Sequence, residues 1–180
     1  IILSGSPDSS IAFDNPDPPD FVWQRNCPVL GICYGMQIIV QHFGGKIVSA
    51  EQREFGYAKL ECIEDTWLSA IYNTHNNEHA SQVWMSHGDS VVDIPEDFKV
   101  LAKTDSGVIA AIESQSQDYL AVQFHPEVTH TVSGREILSY YLFSMCGCDK
   151  LWSEQHIIAT QISKIKQQVG KDKVILGLSG

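Results

Sequence analysis

Cys33 stands between two glycines, in Gly31-Ile32-Cys33-Tyr34-Gly35. It follows the apolar run Val29–Ile32, which reads as a buried strand. Met36, Ile39, Val40 and Phe43 then recur at three- and four-residue spacing, as in a helix ended by Gly44 and Gly45. A strand that turns sharply into a helix, with one nucleophile at the bend, is a nucleophile elbow. The flanking glycines are needed because the bend leaves no room for Cβ atoms. The helix start aims unpaired N–H groups at the sulfur, which favours thiolate over thiol and can hold an oxyanion. By itself, a free cysteine is more often a small buried hydrophobe than a reactive group.

A thiolate nucleophile needs a base, and the base needs an orienting partner. Phe124-His125-Pro126-Glu127 offers both within three residues, after the apolar strand Leu120–Phe124. At a strand end, residues 125 and 127 point to the same side, so the carboxylate can fix the imidazole tautomer. The same pair could begin a metal site, but it would need further ligands such as His75, His79, His87 or His130. No metal is expected. Cys146-Gly147-Cys148 lacks a second pair at zinc spacing.

The elements that must position these groups form an α/β pattern. Ile1-Ile2-Leu3 is a strand running into Ser4-Gly5-Ser6-Pro7, and residues 8–20 are a Pro- and Asp-rich loop. Phe21–Arg25 is about one helical turn. Strands are predicted at Lys46–Ala50, Glu54–Ile63, Gln82–Met85, Val91–Ile94, Val100–Lys103, Val108–Glu113 and Tyr119–Phe124. Phe55, Tyr57 and Leu60 are expected to pack. Thr66–Tyr72 reads as a short helix, the His75–His79 region as loop, and Ser86-His87-Gly88-Asp89 as a strand end. Ser133 and Glu136 read as a capping box opening a helix through Met145. Ser153 caps a last helix that ends at Gly170, and Val174–Leu178 reads as a strand entering the turn Ser179-Gly180.

Together, Gly31-Ile32-Cys33-Tyr34-Gly35-Met36-Gln37 and His125-Pro126-Glu127 resemble the class I (triad) glutamine amidotransferases, over roughly residues 1–147. The resemblance implies an open, mostly parallel sheet flanked by helices, with an antiparallel strand extension: the flavodoxin-like fold of that family. It implies that Cys33 attacks the side-chain amide of glutamine, with His125 as acid/base and Glu127 as its partner. The N–H groups of Gly5 and Tyr34 would form the oxyanion hole. Gln37, Ser86, His87, Gly88 and Asp89 would hold the α-amino and α-carboxylate groups. No cofactor is implied for this domain.

Tyr34, Met36 and Met85–Asp89 look most like the branch of the family that makes GMP from XMP. In that branch Val174–Gly180 would open a second, ATP-pyrophosphatase domain, with Ser179 and Gly180 at the ATP phosphates. The implied organisation is an amidotransferase domain at 1–147, a connecting segment at 148–172 and the start of the second domain at 173–180. XMP, ATP and Mg²⁺ would act in that second domain, and dimer contacts of the full-length enzyme would lie largely outside this chain. The family fold also places a strand and a helix ahead of residue 1, so the chain is expected to be truncated at both ends. The family loop usually reads Ser-Gly-Gly-Pro where this chain has Ser6, a strained choice if φ there is positive. Other amidotransferases (serving carbamoyl phosphate, anthranilate or CTP), a γ-glutamyl hydrolase and a non-catalytic regulatory domain stay open as alternatives.

Composition narrows the field. The 180 residues carry 12 basic and 22 acidic side chains, a formal charge of −10, which disfavours nucleic acid or an anionic membrane as partner. No run of eighteen apolar residues occurs. Five irregularly spaced cysteines do not suggest a disulfide framework and point to a reducing, cytoplasmic setting.

Overall fold

A computed structural model describes residues 1–74, 79–116, 118–150 and 154–177, the side chains of residues 50–53, 154 and 155 excepted. The chain divides into two compact units, Ile1–Gly147 and Cys148–Gly180. The first is an α/β unit. Its strands are β1 (Ile2–Leu3), β2 (Val29–Ile32), β3 (Lys46–Cys62), β4 (Gln82–Asp93), β5 (Phe98–Thr104), β6 (Ile109–Ser114) and β7 (Tyr119–Val122). They form a seven-stranded mixed sheet in the order β1-β2-β7-β6-β5-β3-β4. β1, β2 and β7 pair in parallel. β7-β6-β5-β3-β4 pair antiparallel, so the expected antiparallel extension is the larger part of the sheet.

The inner parallel strands β2 and β7 are fully buried because both of their faces are covered, whereas Ile2 of the edge strand β1 is half exposed. Val29, Tyr119 and Ala121 point to one face with Met36, Ile39 and Val40 of α2 (Tyr34–His42). Leu30, Ile32, Leu120 and Val122 point to the other, with Phe124, Ile137 and Tyr141. The remaining helices of this unit are α1 (Phe21–Gln24), α3 (Trp67–Thr74) and α4 (Gly134–Ser139), which continues as π-helical turns over Tyr140–Met145. α2 ends as the glycines require: Gly44 takes φ +86, and the N–H of Gly45 bonds the carbonyl of Val40 at 2.8 Å.

Several expectations change. Lys46–Ala50 and Glu54–Ile63 are one continuous strand, and so are Gln82–Met85 and Val91–Ile94, with Ser86–Asp89 inside β4. A register shift joins the halves of β3: Ser49 opposes Asp89 and Glu54 opposes His87. Five steps along β3 therefore match two along β4. The odd excess moves the inward face of β3 from odd to even positions. Hence Glu54 lies on the side of buried His87, while Phe55 and Tyr57 are 66% and 60% exposed outside the core, Tyr57 with its ring edge-on to Trp84 at 5.1 Å between centroids. The capping box does not form. The Ser133 hydroxyl instead donates to the Ala80 carbonyl at 2.9 Å, a long-range bond that outcompetes the local cap.

In the second unit, α5 (Glu154–Val169) ends at Gly170 with φ +59. Its expected cap, Ser153, lies outside the described residues, as do His75 and the end of the glycine turn, Leu178-Ser179-Gly180. Residues 174–177 form no strand, since a strand exists only where its backbone pairs, and Ile175 is fully solvated. Among the described residues no helix is long and apolar enough to cross a membrane.

A Cβ at Gly35 would stand 2.0 Å from the carbonyl oxygen of Leu3, an approach matched among the described glycines by Gly134 against the Pro126 carbonyl oxygen. Backbone has to move to admit it. Gly35→Ala is therefore expected to lose about 1–3 kcal/mol of stability. Thermal unfolding followed by circular dichroism would register a midpoint several degrees lower; an unchanged midpoint would refute the packing argument.

Candidate functional site

Cys33 is the bend itself. It has φ +53 and ψ −105, a backbone conformation rare for a non-glycine residue, and it caps the N-terminus of α2. A Cβ at Gly31 would lie 2.6 Å from Ile39 Cδ1 and 2.7 Å from the Gly35 backbone, so both bracketing glycines serve close packing around the bend. The Cys33 N–H bonds the Val122 carbonyl at 2.8 Å, fastening the elbow to β7. The chain leaving that same strand leads directly to the histidine.

His125 and Glu127 sit in a turn after β7 rather than on the strand, which ends at Val122. The pair forms nonetheless: His125 Nδ1 and Glu127 Oε1 are 2.7 Å apart. A carboxylate only accepts, so Nδ1 carries the proton and Nε2 is left basic. The turn is held by backbone, with the His125 N–H on the Trp84 carbonyl at 3.0 Å and the Thr131 hydroxyl on the His125 carbonyl at 2.6 Å.

Gly5 joins the two halves. A Cβ there would stand 3.1 Å from His125 Cε1, 4.0 Å from His125 Nε2 and 3.8 Å from Cys33 Cβ. Ser6 is unstrained, since its φ is not positive, and its hydroxyl donates to Asp8 at 2.7 Å. Cys33, His125, Glu127, Gly5, Tyr34, Gln37 and Ser86–Asp89 all line one cavity of about 790 Å³. The described structure thus brings together every residue to which the resemblance gives a role in the first unit, while His79, His130 and Cys146 do not line this cavity and Ser179 and Gly180 lie outside the described residues.

The polar groups of this wall are tied to one another. The Gln37 amide donates to the Asp89 carbonyl at 3.0 Å. His87 Nδ1 also faces the Asp89 carbonyl at 3.0 Å. Its Nε2 lies 3.5 Å from Glu54 Oε2, and the other oxygen of Glu54 accepts from the Ser106 hydroxyl. Burial holds the His87 pKa below its ordinary value, against the pull of Glu54. Asp89 Oδ2 accepts from the Ser9 hydroxyl at 2.6 Å and the Ser10 N–H at 3.0 Å, so it also holds the loop that forms the opposite wall.

The thiol itself departs from expectation. Burial pushes the Cys33 thiol up to about 11; the Tyr34 N–H, the Glu127 charge and the Gln123 amide act more weakly, the first and last lowering it. Desolvation outweighs the N–H groups of the helix start. Sequence reasoning misses Gln123. The available signal is a lone polar residue in the apolar run Tyr119–Phe124, and it is fully buried.

Comparison with known proteins decides the relationship. The family model described as glutamine amidotransferase class-I matches residues 1–145. The chain belongs to the class-I glutamine amidotransferase family. Among relatives of this family, the chain is 46% identical over 180 residues to a protein named GMP synthase [glutamine-hydrolyzing] from Vibrio parahaemolyticus, covering 100% of the chain and 34% of the relative. It is 45% identical over 183 residues to the protein of that name from Photobacterium profundum, covering 100% of the chain and 35% of the relative. The chain thus spans about a third of the length of these relatives. Two solved structures are similar. One, from Thermoplasma acidophilum and described as a GMP synthase subunit, aligns with TM-score 0.60 and 29% identity over 80% of this chain and 64% of that one. The other, a glutamine amidotransferase from Thermotoga maritima, shares the fold at TM-score 0.50 and 17% identity, over 83% and 60% of the two chains.

With the thiol near 11, the thiolate fraction at pH 7 is about 10⁻⁴. Alkylation of Cys33 in the substrate-free protein, followed by peptide mass spectrometry to separate it from the other four cysteines, is expected to rise about tenfold per pH unit from pH 7 to 10. A plateau below pH 8.5 would show a low-pKa thiol instead.

Proposed function

We propose that this chain hydrolyses glutamine to glutamate and ammonia through Cys33, His125 and Glu127, and that the ammonia aminates XMP to GMP at the expense of ATP. The observation that carries the reading is the pairing of Cys33 at a strained elbow with a His125–Glu127 pair across Gly5, in one cavity. The relatives' printed name supports the finer part.

The resting thiol is neutral, so His125 Nε2 has to take its proton as the sulfur attacks. The nucleophile is made only when substrate is aligned. The new C–S bond sends the carbonyl electrons onto oxygen. The Tyr34 N–H at the start of α2 and the Gly5 N–H are the donors we assign to that oxyanion. The imidazolium, stabilised by Glu127, then gives its proton to the leaving nitrogen. The C–N bond breaks, ammonia departs and a γ-glutamyl thioester stays on Cys33. Water loses a proton to His125 and attacks the thioester. The C–S bond breaks, glutamate forms and the proton returns to sulfur. Gln37 and Ser86–Asp89 are proposed to hold the α-amino and α-carboxylate groups, chiefly through Ser86, Gly88 and backbone, because the Gln37 N–H groups and one Asp89 oxygen are already engaged. In the full-length enzyme the region from Val174 onward would begin the ATP site, with Ser179 and Gly180 at the phosphates and Mg²⁺ on ATP. A reducing, cytoplasmic setting and a dimeric full-length enzyme belong to the same reading.

The test is ammonia and glutamate release by the full-length protein, with and without XMP and Mg-ATP. Cys33→Ala is expected to abolish release, and Glu127→Gln to lower kcat by roughly 10²- to 10⁴-fold by loosening the imidazole. Stimulation by XMP plus ATP supports GMP synthesis. Release that depends on Cys33 yet ignores XMP would refute the acceptor, and release that survives Cys33→Ala would refute the whole reading.

A further inference from the structure

Behind the sulfur lies a chain of amides whose direction is set by one backbone carbonyl. Gln37 Nε2 is 3.0 Å from the Asp89 carbonyl oxygen, which can only accept, so the NH₂ end of Gln37 faces β4. The second hydrogen of that NH₂ is aimed at Gln123 Oε1, 3.5 Å away. Gln123 therefore presents its oxygen to Gln37 and its own NH₂ to the opposite side, where Nε2 stands 3.8 Å from Cys33 Sγ. The ordinary ambiguity of a glutamine amide is removed at both links: reversing Gln37 would set its oxygen against the Asp89 carbonyl oxygen, and reversing Gln123 would set its NH₂ against that of Gln37.

Gln123 is 0% and Gln37 3% exposed, so both amides are buried. Gln123 lies one residue past β7 and two before His125, anchored by its N–H to the Ala110 carbonyl at 2.9 Å. A buried amide beside the strand that carries the base costs stability unless its polar atoms are used. Its use here is to point an N–H donor at the sulfur from the side away from the cavity.

We propose that Gln123 is a positioning residue for the nucleophile: oriented by Gln37 and the Asp89 carbonyl, its side-chain N–H holds the Cys33 sulfur and stabilises the negative charge that develops when His125 takes the proton. The proposal rests on Cys33 being the nucleophile. It accounts for why a buried sulfur can still ionise on demand: burial disfavours charge, while fixed donors, the Gln123 amide beside the Tyr34 N–H, favour it at a single atom. The donor stays behind the sulfur, so it leaves the front free for the glutamine carbon. It is a different group from the two N–H donors assigned to the oxyanion, of which the Tyr34 N–H also acts on the thiol.

The test uses the full-length protein with Gln123→Glu, which replaces the donor with an acceptor, and Gln123→Met, which removes it with similar length and no charge. Two quantities are read: alkylation of Cys33 at pH 8 without glutamine, and the glutaminase kcat and KM. Alkylation at pH 8 lies far below the thiol pKa, so its rate follows the thiolate fraction. Gln123→Met is expected to slow it by roughly threefold to tenfold, and Gln123→Glu by more than tenfold. kcat should fall in the same order, with KM changed less than about threefold. Equal alkylation rates for both variants and the parent in denaturant would establish that the difference belongs to the folded site. Unchanged alkylation in folded variants would overturn the proposal. So would collapse of the fold in both, because it would make Gln123 a structural residue. If instead Cys33→Ala keeps its glutaminase activity, it is the nucleophile assignment that has failed, and the Gln123 alkylation result still stands on its own.

Discussion

Everything at this site depends on a bend that leaves no room for side chains. Cys33 holds φ +53 because the strand before it and the helix after it are both clamped, β2 between β1 and β7, and α2 against the sheet. The clamp works only if Gly31 and Gly35 lack Cβ atoms, since either would run into backbone or Ile39. The backbone strain, of order 1–3 kcal/mol, is offset by that packing. In return, the thiol stands at the open end of the helix, at the strand ends where the sheet leaves a crevice. The histidine arrives from β7, the next strand over, so that neighbouring parallel strands set the distance between acid/base and nucleophile.

Two opposing electrostatic demands meet at the sulfur. Burial favours the protonated form of Cys33 and so slows its reaction with stray electrophiles and oxidants. Catalysis needs a thiolate for a moment. The arrangement of His125, Glu127 and the surrounding N–H donors meets both demands by making charge favourable only at particular atoms. Glu127 illustrates the balance. It repels the thiolate, yet it holds the imidazole tautomer that can remove the proton, and the second effect requires contact whereas the first is diluted by distance.

Much of this was legible from residue order. The elbow follows from glycines around a nucleophile between a short apolar run and a run of helical period, and the His125–Glu127 pair follows from its spacing. Both depend on local geometry, which short stretches of chain encode. What was not legible depends on partners far away in sequence. β3 and β4 are longer than their apolar runs because a two-stranded arm can carry polar residues on both sides while its backbone pairs. Phe55 and Tyr57 have the composition of core residues, and their outward orientation follows from a register shift that composition does not mark. Ser133 has the right spacing for a helix cap, but Ala80 offers a buried carbonyl that needs a donor. The raised thiol pKa depends on how deeply the bend is buried, which the motif alone does not state.

The register shift between Ser49 and Glu54 has an evolutionary consequence. Pairing with β4 is regular from Glu54 to Lys59, so strand direction and facing are re-established at Glu54 whatever the irregular stretch contains. Residues can be added or exchanged there in a way that preserves parity without rotating His87 away from the cavity or disturbing the core behind it. The lip of the pocket next to Ser49 and Phe55 is thus a module whose length and composition can drift independently of the nucleophile. A fold with one fixed reaction centre can in this way be fitted to different neighbours by editing a few residues of a single arm.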